Sequence, residues 1–105
     1  MVDTVAGTKV AVSSVYVLRE RGQLAVRVDG FTWDFPTYGP VELQAGAETI
    51  RARYVAFANV DGAPVLYLEP DDPRYVTVAQ IATALGAPDA HGLFRPEASC
   101  VRRAV

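Results

Sequence analysis

The stretch ETIRARYVAFANVDGAPVLYLE, residues 48–69, decides the fold. Two apolar runs, 48–60 and 63–69, flank the dipeptide Asp61-Gly62. A two-residue hairpin loop of type I′ needs positive φ at both central residues, and Asp-Gly supplies that cheaply. Such a turn sets the register. It places Val60 opposite Ala63, Ala58 opposite Val65, Phe57 opposite Leu66, and Val55 opposite Leu68. One face then carries Val55, Phe57, Leu66 and Leu68, the other Ala56, Ala58, Val65 and Tyr67. Both faces are apolar, so the hairpin is expected to be covered on both sides, by the rest of the chain or by a partner.

Upstream, residues 8–18 are rich in Val and read as a strand. Residues 23–29 alternate, with Leu24, Val26 and Val28 on one face and Gln23, Arg27 and Asp29 on the other. The polar run Arg19-Glu20-Arg21-Gly22 joins them as a hairpin turn. Phe31, Trp33 and Phe35 share a face in a stretch that is expected to continue the 23–29 strand through a bulge at Gly30, until Pro36 and Pro40 break the ladder because neither can donate to it. Residues 41–44 form a short strand, and residues 45–47 turn. Pro36, Pro40 and Pro64 would blunt sheet edges. The 8–18 strand has only Lys9 as a charged guard and is expected to pair with a neighbouring molecule.

Downstream lies one convincing helix, 77–86. Thr77 is placed to cap it with Gln80 as the N3 partner. Val78, Ile81, Ala82 and Leu85 form its apolar stripe, and Gly86 stops it, with Pro88 beyond. Residues 87–96 are mostly loop, and 97–104 read as a helix turn or an edge strand. The expected fold is therefore β-rich α+β in one domain spanning residues 1–105. It has five or six mostly antiparallel strands, as a curved sheet or small barrel, with the 77–86 helix packed on it.

Thr77 to Gly86, with Ala82 and Gly86 four residues apart, resembles the first helix of a helix-turn-helix. That resemblance implies a recognition helix next, but Pro88, Gly92 and Pro96 interrupt the place it should occupy. The 10 basic and 12 acidic residues, for a net charge of −2, also argue against generic phosphate-backbone binding. A nucleic-acid regulator built on this helix stays a further alternative.

The chain has one cysteine and one histidine, so an intrachain disulfide, a thiolate zinc site or a histidine pair is out of reach. Cys100 and His91, with Asp89 to orient the imidazole, are the only nucleophile–base candidates, and a small apolar Cys with a loop His is the plainer reading. Glu69, Asp71 and Asp72 cluster but lack EF-hand spacing. Ser13, Ser14 and Ser99 lack a nucleophile elbow. No glycine-rich phosphate loop occurs. No catalytic residue, metal or cofactor is implied, and the reading leans away from an enzyme. There is no signal peptide or membrane-spanning run, so the expected location is the cytoplasm or a particle assembled there.

What remains is an interaction domain: a subunit of a homo-oligomer or of a larger multi-copy complex, such as a virion-associated one, whose partners are proteins. Trp33, Phe35, Tyr38, Pro40 and Tyr67 are the candidate interface residues, since Trp and Tyr bring contact area at low entropy cost. The alternative is a small-molecule binder or cofactor-free enzyme with an aromatic pocket lined by Trp33, Tyr54 and Tyr67.

Overall fold

A computed structural model describes residues 9–29, 39–45, 48–96 and 99–103. They form β1 (Lys9–Leu18), β2 (Gln23–Asp29), β3 (Gly39–Ala45), β4 (Glu48–Val60), β5 (Ala63–Pro70), α1 (Val78–Leu85), β6 (Leu93–Phe94) and β7 (Ser99–Arg103). Two 3₁₀ turns, Arg19–Arg21 and Pro73–Val76, complete the described elements. Every strand pair is antiparallel. The order β2-β5-β4-β3-β7-β1 closes on itself because β1 also pairs with β2. The result is a six-stranded closed barrel, with β6 as an extra strand against β1. The consecutive strands β3, β4 and β5 meander, and β2 lies beside β5, which makes a Greek key.

The barrel is held by its filling. Leu24, Val26, Val28, Val41, Leu43, Ile50, Leu66, Leu68 and Val101 point inward with at most 1% exposure. Each such side chain contributes roughly 1.5–3 kcal/mol by leaving water. Helix α1 adds Ile81 to this core, with Ala82, Leu85 and Tyr75 packed against it. The helix starts where expected: the Thr77 hydroxyl accepts the Gln80 N–H at 3.3 Å and donates to the Arg74 carbonyl at 3.0 Å. It ends at Gly86, φ 89°, whose N–H returns to the Ala82 carbonyl. A turn and β6 follow, in place of a recognition helix.

The Asp61-Gly62 turn has positive φ at both residues, 53° and 81°. It delivers the pairs Val60–Ala63, Ala58–Val65 and Phe57–Leu66. The fourth expected pair is corrected: Leu68 faces Tyr54, because a bulge at Val55 inserts one extra residue into β4. Two edge expectations are also corrected. Strand β1 is no free edge, since β2 takes one side while β7 and β6 share the other. Residues 99–103 are neither a helix turn nor an edge strand but β7, lying between β3 and β1. Closure of the barrel is the common cause, because it consumes both edges at once. Pro64 stands one residue beyond the last β2–β5 pair, Arg27–Val65, while Pro40 lies within β3 across from Arg53 rather than breaking a strand. Gly30, Pro36 and the aromatic run from Phe31 to Phe35 lie outside the described residues.

Candidate functional site

In a β-strand alternate side chains take opposite faces, so a one-residue bulge exchanges inside and outside for everything beyond it. Two bulges do this here. In β1 the register slips between Val12 and Ser14. Val10 and Val12 point inward before the slip and Val15 after it, which turns Ser14, Tyr16 and Leu18 outward. In β4 the slip at Val55 turns Ala56, Ala58 and Val60 outward.

The outward residues of β1, β2, β5 and the end of β4 then align in cross-strand rows. One row is Tyr16, Ala25, Tyr67 and Ala56. The next is Ser14, Arg27, Val65 and Ala58. Together with Ser13, Leu18, Val60, Leu93 and Arg95, residues of these rows line an open groove of about 330 Å³. Its floor is well packed, with Val65 and Ser14 each 6% exposed, and its walls stand in water, with Tyr16 42% and Val60 38% exposed.

The turn at 89–93 builds one wall. The Asp89 carboxylate accepts the backbone N–H of His91 at 2.8 Å and of Leu93 at 3.0 Å, and reaches the Arg95 guanidinium at 3.3 Å. The Leu93 and His91 N–H groups, and then Arg95, hold its carboxyl below the usual range. The turn places Leu93 across from Tyr16. Gly92, at φ 82°, lets the backbone come close to the Tyr16 ring, and a Cβ there would sit 3.3 Å from Tyr16 Cε1. Tyr16 is thus seated against this turn while its other side faces the groove.

Arginine placement separates the groove from the rest of the barrel. Arg51 and Arg102 both lie across from Glu42, and Arg53 lies across from Glu69. The Arg102–Glu42 ion pair closes at 2.9 Å. Arg27 instead lies across from Ser14 and Val65, and like Arg51 and Arg53 it makes no ion pair among the described residues. No Asp or Glu is found among the described residues that line the groove.

Of the candidate interface residues, Tyr67 lines this groove, whereas Pro40 is exposed on β3 across from Arg53, outside it. Trp33, Phe35 and Tyr38 lie outside the described residues. The aromatic pocket expected around Tyr54 and Tyr67 is not formed by that pair. Tyr54 points into the core at 3% exposure and Tyr67 points out, on opposite faces of the same hairpin. Asp89 holds the backbone of His91 rather than its ring. Cys100 lies across from Ala11, and the His91 turn reaches β1 near Tyr16, roughly 15 Å farther along the strand. That pair is therefore not assembled. Among the described residues no group of three or more His, Cys, Asp or Glu is placed to hold a metal ion, and no helix is long and apolar enough to cross a membrane.

Residue-level reading missed Tyr16, Ser14, Arg27 and Gly92. Their signal is the register, which depends on the β1 bulge. No family model matches the chain, no curated protein is found similar to it, and no solved structure is found to match it.

Proposed function

We propose that this chain is a non-enzymatic interaction domain that joins other protein, its own copies or a larger assembly, through the outer groove of β1, β2 and β5. One observation carries the reading. Tyr16, Phe57 and Val60 are the exposed large hydrophobic residues of the described chain, and two of the three border this groove, beside Tyr67 and Val65. Exposed aromatic and aliphatic groups gathered round a packed floor are what an interface core requires. The interior of the barrel is filled by its own side chains, so binding falls to the outer surface.

The test pairs light scattering at micromolar concentration with a photo-crosslinking residue at position 16 and, separately, at position 51 on the opposite side. Discrete adducts to a second copy or to one partner, from position 16 and not from 51, are the expected result. A strictly monomeric particle with no position-16 adduct in its native extract overturns the proposal.

A further inference from the structure

We infer that the groove takes an extended, acidic segment of a partner protein, in which an aromatic or large aliphatic side chain stands two residues from an Asp or Glu. This rests on the interaction reading above and adds the partner's chemistry to it.

Charge comes first. The chain is acidic overall, at −2, yet the described lining of the groove holds Arg27 and Arg95 and no carboxylate. Of the ladder arginines, 51, 53 and 102 each lie across from a glutamate and Arg103 lies across from Val41, whereas Arg27, across from Ser14 and Val65, is the one that lines the groove. A planar guanidinium without an internal acid is suited to a carboxylate from outside, in a two-pronged contact. The Ser14 hydroxyl stands beside it. Ser14 is 94% buried as a residue and forms no side-chain hydrogen bond among the described residues. No fully buried side-chain polar atom there lacks a partner, so its oxygen opens into the groove. It can donate to the same carboxylate.

Spacing comes second. The Tyr16–Ala25–Tyr67 row and the Ser14–Arg27–Val65 row are two residues apart along their strands, about 7 Å. Residues i and i+2 of an extended peptide have that separation and share a face. In the first row two tyrosines stand on either side of an alanine, with backbones about 10 Å apart, or two strand spacings. Ala25 leaves the space between them open to a ring or a branched aliphatic group.

Shape comes third. From Ser13 to Leu18 the groove runs about 17 Å along β1. That length suits roughly five extended residues better than a compact small molecule.

The experiment is a fluorescence-anisotropy titration of the full chain with labelled ten-residue peptides in a Gly-Ser background. They contain Phe-x-Glu, Phe-x-Lys, or Phe and Glu adjacent. Binding of the Phe-x-Glu peptide is expected, weakened by added salt and weakened about tenfold or more in Arg27→Gln. Arg27→Lys, which keeps the charge but loses the planar fork, is expected to fall between. Both variants are compared at matched thermal midpoints, so a folding defect is not read as lost binding. Equal binding of the Lys peptide, equal binding of the adjacent pair, or an unchanged Arg27→Gln overturns the assignment. So does competition by free N-acetylphenylalanine as effective as the peptide itself, which would make the groove a small-molecule site. If no peptide binds while position 16 still crosslinks, the partner chemistry falls and the interaction reading stands; if both fail, both fall.

Discussion

The two outer surfaces of this barrel cover the same kind of interior and present different chemistry to water. On the β4–β3–β7 side, the first half of β4 alternates strictly: Ile50, Ala52 and Tyr54 are buried while Thr49, Arg51 and Arg53 are exposed. Its outward arginines lie across from glutamates, Arg51 and Arg102 from Glu42 and Arg53 from Glu69, and Arg102 closes an ion pair with Glu42. On the β1–β2–β5 side the outward residues that line the groove include Tyr16, Ala25, Tyr67 and Val65, with Arg27 across from no acid, while the acids Asp29 and Glu69 stand near the ends of β2 and β5, outside the groove. The lesson is that inward patterning alone does not define a barrel's exterior. Strand β4 belongs to both surfaces, and the change of character falls at Val55, where the bulge resets its alternation.

The comparison breaks most completely if a bulge is removed. Deleting Val55, the unpaired residue, would leave Tyr54–Leu68 followed directly by Ala56–Tyr67, keeping the facing of Ala56, Phe57 and Ala58 but removing the bend that the closed sheet has at this point. The expected outcome is loss of cooperative unfolding, followed by circular dichroism during heating. Next in size is the shared interior. Leu66→Ala, at a position with no exposure, should cost about 2–5 kcal/mol in urea unfolding. Leu85→Ala, at the end of α1 and only partly buried against the core, should fall at the low end, about 2 kcal/mol.

Smaller still is the turn. Gly62→Val, at φ 81°, should cost about 1–2 kcal/mol by forcing a branched side chain into left-handed backbone. An unchanged urea midpoint would contradict the type I′ geometry. Tyr16→Ser and Arg51→Ser sharpen the contrast directly. Arg51→Ser should keep stability within about 0.5 kcal/mol, and Tyr16→Ser, which also removes the ring from its seat against the Gly92 turn, should cost about 1 kcal/mol and leave the chain folded. Only Tyr16→Ser should abolish association in light scattering or crosslinking.

The smallest effect is the pH dependence of the 89–93 turn. The Asp89 carboxyl is held below its ordinary range by the Leu93 and His91 N–H groups, then by Arg95. Its contribution is therefore full above the usual carboxylate range and is lost as pH falls through its own depressed value. Amide exchange at His91 and Leu93 should quicken on acidification of the native chain, and Asp89→Asn should be fast already at neutral pH.

Much of the barrel could be read from residues because its signals are local. Asp61-Gly62 dictates a turn through backbone sterics, and Thr77, Gln80 and Gly86 mark a helix through capping groups. The alternation at 23–29 needs only a strand's period. The bulges could not be read this way. A bulge at Val55 or Ser13 requires no special side chain, and arises where a closed sheet must bend. The expectation of Val55 opposite Leu68 failed for that reason. Closure is likewise a property of distant residues, since Lys9 meets Arg102 only after the whole chain has turned. The apolar outer face of the 63–69 strand was legible, through Val65 and Tyr67. Its partnership with Tyr16, Ser14 and Arg27 was not, because each depends on register.

That meeting of β1 with β7 also has a consequence in time. β7 is synthesised some 90 residues after its partner β1, which at 5–20 residues per second is roughly 5–20 s. During that interval β1 can pair with β2, a local contact that forms quickly, but the edge destined for β7 stays open. The growing chain therefore passes through a ribbon stage with one Val-rich edge uncovered. Its hazard of mispairing is concentrated in the seconds before the last strand arrives, and shielding of β1 by a chaperone would matter then and not afterwards.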